Sequence, residues 1–140
     1  MTNDEKPKGH LVTRMLAMPK DTNINGDIFG GWVVSQMDIA GAAALSRYTP
    51  HGVVTAGINS MSFIAPIHVG DFVCCYAFIQ KIGRTSVAVN IEAWAISNRD
   101  LVRHRVTEGI FTYVAIDENG KPTPVDRERI LAEEKLRLDN

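Results

Sequence analysis

The chain has 140 residues, 45% hydrophobic and 22% charged, with 15 Lys and Arg against 16 Asp and Glu for a formal net charge of -1. That length fits one domain able to bury a core without disulfides or metals. Near neutrality supplies no general attraction to nucleic acid or to an anionic membrane surface, so any anion recognition must be local.

Residues 1–9 are charged and lack the apolar core of a signal peptide, and no apolar run is long enough to span a bilayer. The expectation is a flexible N-terminal tail on a cytoplasmic protein with neither nucleic-acid nor membrane partners. Residues 10–18 form a mixed apolar run stopped by Pro19 and predict a strand. A glycine-rich turn follows. From Trp32 to about Tyr48 the residues are apolar or small on every side, the composition of a helix buried all round.

Pro50 and Gly52 end that helix, and residues 53–65 predict a long strand with Met61 and Phe63 on one face. Pro66 and the Val69-Gly70-Asp71 turn lead into a strand over residues 72–81, rich in Val, Tyr, Phe and Ile. After the Gly83-Arg84 turn, Val87, Val89, Ile91, Ala93 and Ala95 alternate with Ala88, Asn90, Glu92, Trp94 and Ile96, which is the period of a strand. Residues 103–116 alternate again, and Asp117 to Pro122 closes the sheet. From Pro124 to the end the chain is charged, with Ile130, Leu131 and Leu138 at helical spacing and Thr123, Pro124 and Asp126 available as a cap. The expected organisation is a tail to residue 9, one domain over 10–125, and a helix or tail over 126–140.

Adjacent Cys74 and Cys75 point to opposite faces of one strand, which suits two buried, reduced thiols and neither a disulfide nor a metal site. One strand, one helix and four consecutive strands on short turns define an α+β fold with an antiparallel sheet. A helix apolar on all sides needs a sheet that curls round it or a second copy packed against it, so the pattern predicts oligomerisation.

One carboxylate breaks that apolar helix. Asp38 sits among Val34, Gly41, Ala42 and Ala43, where an unpaired charge costs several kcal/mol or more, on the order of the penalty for burying an ion. The preceding Asp21-Thr22-Asn23-Ile24-Asn25-Gly26-Asp27-Ile28 fits the first eight places of a calcium-binding EF-hand loop, but the twelfth holds Trp32 instead of a bidentate Glu. Gly26, Gly30 and Gly31 lack the Lys-Ser/Thr pair of a phosphate loop. Gly30 and Gly31 instead free backbone N–H groups at the helix start, where the dipole favours a developing negative charge, as an oxyanion hole requires.

Ser35 lacks a nucleophile elbow, and His10, His51, His68 and His104 are scattered without metal-ligand spacing. A partly desolvated carboxylate, a helix-terminal oxyanion site and water remain, and together they suffice to hydrolyse an activated acyl compound such as a thioester. Gly31 and Asp38 share a face but stand seven residues apart, roughly 10 Å along the axis. A water and a carbonyl could bridge part of that gap, or a two-fold related copy could bring a second Asp38 opposite Gly31.

Leu16-Ala17-Met18-Pro19, Asn25-Gly26-Asp27-Ile28-Phe29-Gly30-Gly31-Trp32, Ser35-Gln36-Met37-Asp38, Val69-Gly70-Asp71 with Val73 to Tyr76, and Asp117 to Pro122 together resemble the bacterial YciA-type acyl-CoA thioesterases, from about Leu11 to Pro124. The resemblance implies a hotdog fold, a helix wrapped by a curved antiparallel sheet, with dimers joining their sheets and commonly assembling as a trimer of dimers, hence a homohexamer. It places the catalytic carboxylate at Asp38 and the oxyanion-binding N–H at Gly31, from different subunits, and gives Asp27 a polar role near the thioester because related two-domain enzymes carry Asn there. Coenzyme A is part of the substrate and product, no separate cofactor is implied, and CoA is expected near Met61-Ser62-Phe63 and Gly83-Arg84-Thr85-Ser86, with Arg84 pairing phosphate. Ala56-Gly57-Ile58-Asn59 departs from relatives that carry an acid near Asn59, which bears on substrate preference. A hotdog module that holds acyl-CoA without turning it over is the alternative; dehydratase or hydratase chemistry is disfavoured because no His stands at the helix start.

Overall fold

The computed structural model describes residues 5–59 and 61–139, with side chains as far as Lys135. Five strands form one antiparallel sheet: β1 (His10–Leu16), β2 (Val53–Ile58), β3 (Phe72–Ile82), β4 (Ser86–Ile96) and β5 (Arg103–Ala115), in the spatial order β1-β3-β4-β5-β2. Between β1 and β2 runs the helix α1 (Gly30–Leu45), continued by a short 3-10 turn, Ser46–Tyr48. A second helix, α2 (Arg127–Asp139), ends the chain.

The period-two pattern of β4 turns Val87, Val89, Ile91, Ala93 and Ala95 toward α1, where they meet Val33, Met37, Ala40, Ala44 and Leu45 in the core. The helix therefore lies in the concave face of the sheet. Within one chain it is not buried all round, as its composition suggests. Gly31, Ser35, Ile39 and Ala43, four residues apart, form an exposed stripe on which Ile39 is 56% open. The apolar residue at its centre is the reason the sequence pattern reads as fully buried.

The other face of β4 is buried as well, because residues 5–9, read as a flexible tail from composition, lie across it. The Lys8 backbone N–H and the Trp94 indole N–H donate to the Glu92 carboxylate at 3.1 and 2.8 Å, and Arg105 approaches its other oxygen at 3.7 Å. Gly9, at φ +85°, passes so close to Ala77 that a β-carbon would overlap the Ala77 carbonyl oxygen. Residues 1–4 lie outside the described part.

The long strand expected over 53–65 is shorter. β2 stops at Ile58, after a bulge between Thr55 and Gly57. Beyond it, among the described residues, isolated bonds follow β5: the Asn59 N–H donates to the Ile110 carbonyl and the Ile64 N–H to the Val106 carbonyl, both at 2.9 Å. An edge strand has one neighbour, and an extra residue in it bends the chain and disrupts the ladder. Met61 lies across Gly109, where any side chain would crowd it.

α2 begins as its sequence suggests, with the Asp126 carboxylate accepting from the Arg129 N–H at 3.1 Å. Ile130, 1% exposed, anchors it in the core. Tyr48 donates to Glu134 at 2.7 Å while Arg129 stacks over the Tyr48 ring. The side chain of Leu138 lies outside the described part. Cys74 and Cys75 are both free and buried on opposite faces of β3, opposite Arg14 and Thr13 of β1. Among the described residues no helix is long and apolar enough to cross a membrane.

Candidate active site

The turn before α1 is built by Asn23. Its side-chain oxygen accepts from the N–H groups of Asn25 and Asp27 at 2.8 and 3.1 Å, so the supposed calcium loop spends this ligand on its own backbone. Gly26 supplies the left-handed corner at φ +82°. Asp27 emerges beside the helix start, 3.8 Å from His68. Phe29 then caps the helix with extended backbone and no side-chain hydrogen bond, and no acidic residue occupies the first turn.

The Trp32 and Val33 N–H groups fold back to the Phe29 carbonyl, which leaves those of Gly30 and Gly31 at the positive end of the helix dipole. A β-carbon at Gly31 would meet nothing within 4 Å. The residue itself is exposed. Beneath it lies an apolar cavity of about 250 Å³, lined by residues such as Ile28, Gly30, Val33, Phe63 and Val106. The Phe63 ring rests 3.4 Å from the position a Gly30 β-carbon would take.

Asp38 stands two turns further on, half-buried beside the exposed stripe. Thr55 of β2 donates to its Oδ1 at 2.7 Å, and Tyr113 of β5 donates to its backbone carbonyl at 2.9 Å. Burial and the proximity of Asp38 push the Tyr113 hydroxyl well above the usual tyrosine range, which keeps it a neutral donor. Thr55 thus holds Oδ1, and the Tyr113 hydroxyl lies close to the same carboxylate.

One chain does not gather all the predicted residues. Asp27 and Gly31 share the start of α1, while Asp38 lies roughly 10 Å along the helix axis. Met61, Ser62 and Phe63 run beside the first half of β5, where Thr107 donates to the Ser62 carbonyl at 2.9 Å. Gly83, Arg84, Thr85 and Ser86 form the β3–β4 turn, tied to the far end of β5 by the Ala115 N–H on the Thr85 carbonyl at 2.9 Å. Thr107 and Ala115 are eight residues apart, roughly 27 Å of strand. Thr55 and Tyr113 escape the sequence reading, although a polar Thr on the core-facing parity of an apolar strand is a visible signal.

A single long helix laid in a curved five-stranded antiparallel sheet is the hotdog architecture. The family model described as thioesterase superfamily matches residues 25–102, more than half of the chain. The acyl-CoA thioester hydrolase YciA of Salmonella typhimurium is 52% identical over 128 residues, covering 89% of this chain and 96% of that protein. Among solved structures, the hexameric thioesterase y2039 from Yersinia pestis aligns with a TM-score of 0.81 at 51% identity, covering 86% of this chain and 98% of its own. HI0827, a hexameric broad specificity acyl-coenzyme A thioesterase, aligns with a TM-score of 0.87 at 42% identity over 99% of this chain and 97% of its own. The chain belongs to the thioesterase superfamily, and within it to the YciA-type acyl-CoA thioester hydrolases.

Proposed function

We propose that this protein hydrolyses acyl-CoA to a carboxylic acid and CoA, with Asp38 activating the attacking water and the Gly31 N–H binding the oxyanion. The observation that carries the proposal is the pairing of an uncapped glycine helix start with a carboxylate held at one oxygen by Thr55. Water adds to the thioester carbonyl carbon as Asp38 takes its proton. The carbonyl oxygen becomes an oxyanion at the Gly31 N–H, where helix dipole and donor favour the negative charge. Collapse of the tetrahedral intermediate breaks the C–S bond, and the proton held by Asp38 passes to the departing thiolate. Direct attack by Asp38 through a mixed anhydride is the variant of this route, and water then cleaves the anhydride.

The roughly 10 Å between Gly31 and Asp38 of one helix favours a site shared between two copies, each supplying one of the two groups. The exposed α1 stripe, with Ile39 at its centre, and the β2 edge beside it give a second copy an apolar face and a free strand to join. Hexameric relatives support assembly of such dimers into a homohexamer. The same sharing lets one CoA meet Met61, Ser62 and Phe63 of one copy and Gly83 to Ser86, with Arg84 toward phosphate, of another. The apolar cavity beside Gly30 takes the acyl chain, and Asp27 stands at its mouth as a polar neighbour of the thioester.

Release of free thiol from a panel of acyl-CoAs, compared between wild type and Asp38→Asn, tests the proposal. Wild type turns over and Asp38→Asn loses at least about a hundredfold in kcat, the scale of a removed general base. Tight CoA binding without thiol release from the wild type would establish the non-catalytic binding module instead.

A further inference from the structure

Two hydroxyls from the sheet converge on one helical residue. Thr55 and Tyr113 are direct partners in the β2–β5 register, so their side chains leave the same face of the sheet side by side. Thr55 reaches the Asp38 carboxylate, and Tyr113 reaches the Asp38 main-chain carbonyl. That carbonyl lies inside α1 and has a helical N–H as its ordinary partner, so the tyrosine donor occupies its second lone pair and is not needed to satisfy it. Tyr113 is nonetheless 1% exposed, and Phe111 stacks beside it at 6.5 Å.

The seat for this hydroxyl is made by Gly41, three residues beyond Asp38. A β-carbon at 41 would overlap the Tyr113 hydroxyl oxygen and lie 2.6 Å from the ring carbon that bears it. Glycine is a poor residue for the middle of a helix, and here it is the absence of a side chain that admits the phenol to the backbone. A helix pinned to the sheet at this one residue cannot slide or rotate about its axis without breaking the contact.

We infer that Tyr113, admitted by Gly41, is a positioning residue that fixes the height and rotation of α1 at Asp38, so that the carboxylate gripped by Thr55 presents its other oxygen to the water. This inference rests on the hydrolase proposal above. Tyr113 acts through Asp38, by its bond to the helix backbone there and by its closeness to the carboxylate. Misplacement of a reacting group by a fraction of an ångström lowers turnover without changing the surfaces that bind CoA.

The test is a steady-state comparison of wild type, Tyr113→Phe, Asp38→Asn and the double variant, with hexanoyl-CoA as the probe and oligomeric state checked by size-exclusion chromatography. Tyr113→Phe lowers kcat about tenfold with KM within about twofold of wild type, the signature of lost positioning. In the Asp38→Asn background the same change has no further effect on residual turnover, because Tyr113 acts only through Asp38. Gly41→Ala displaces the same hydroxyl while leaving it in the chain, and it reproduces the loss confined to kcat. Full kcat in Tyr113→Phe overturns the inference, as does an undiminished tenfold effect in the Asp38→Asn background. Wild-type turnover by Asp38→Asn would instead overturn the hydrolase mechanism itself, so the two failures are distinguishable.

Discussion

Replacing Gly41 by alanine sets helix propensity against packing. By propensity alone the change stabilises α1 by about 1 kcal/mol. Against this, the added methyl group overlaps the Tyr113 hydroxyl and comes within 2.6 Å of the ring, whose exposure of 1% leaves it no open side to retreat into. Overpacking of this kind costs about 3 kcal/mol at the upper end of its usual range, and the displaced hydroxyl loses a hydrogen bond worth about 1 kcal/mol. The net loss is about 3 kcal/mol. For a chain of 140 residues the unfolding entropy is about 0.3 kcal/mol per degree, so the thermal midpoint falls by about 10 °C. Calorimetry at fixed protein concentration, with Gly41→Ala compared in wild-type and Tyr113→Phe backgrounds, measures it. Removing the phenol oxygen relieves the worst overlap, so the alanine costs less in the second background. A midpoint at or above wild type for Gly41→Ala, the result propensity alone gives, refutes the packing account.

Two further outcomes follow from the same contacts. Ile130 is the buried anchor of α2, and Ile130→Ala lowers stability by about 2–5 kcal/mol, the usual cost of emptying a core site; a urea midpoint unchanged from wild type would show that α2 adds nothing to the fold. Stability also falls as pH rises above 9. Burial pushes the Cys75 thiol up to about 11 from 9.0 and, together with the Glu134 carboxylate, the Tyr48 hydroxyl up to about 12 from 10.0. A group whose pKa is raised by folding gives stability that is full below its unfolded value and is lost as pH passes through the folded one. The windows are therefore pH 9 to 11 for Cys75 and 10 to 12 for Tyr48. Urea denaturation of Cys75→Ala across pH 8 to 11 loses the first of these slopes; an equal slope in wild type and variant contradicts it.

The strands legible from sequence were those whose two faces differ in polarity. β4 and β5 alternate because one side faces α1, and their bounds lie within a residue of where the alternation begins and ends. The sequence pattern overextends β2 because Met61 and Phe63 keep a strand-like parity beyond the last ladder bond, and parity does not register the bulge between Thr55 and Gly57. Asp38 stood out because its neighbours along the helix are apolar. Tyr113 did not, since an aromatic residue on a buried strand face is ordinary core, and only the register that sets it beside Thr55 turns its hydroxyl toward Asp38. Lys8 and Gly9 likewise read as tail because their partners, Glu92 and Ala77, are far away in sequence.

Sharing of the site between subunits is the central claim, and subunit complementation tests it most directly. Asp38→Asn removes the proposed base. Gly31→Pro removes the N–H proposed to bind the oxyanion, within the first turn of α1 where no intrahelical hydrogen bond is lost, and the proposal expects kcat to fall on the order of a hundredfold or more. Each variant alone is nearly inactive. Unfolded together in equal amounts and refolded, half of the randomly formed two-fold pairs are mixed, and each carries one site with both groups intact, restoring about a quarter of wild-type thioesterase activity. Activity that stays at the level of the separate variants, in a refolded mixture shown by mass spectrometry to contain mixed pairs, would place both groups in a single chain and contradict the shared site.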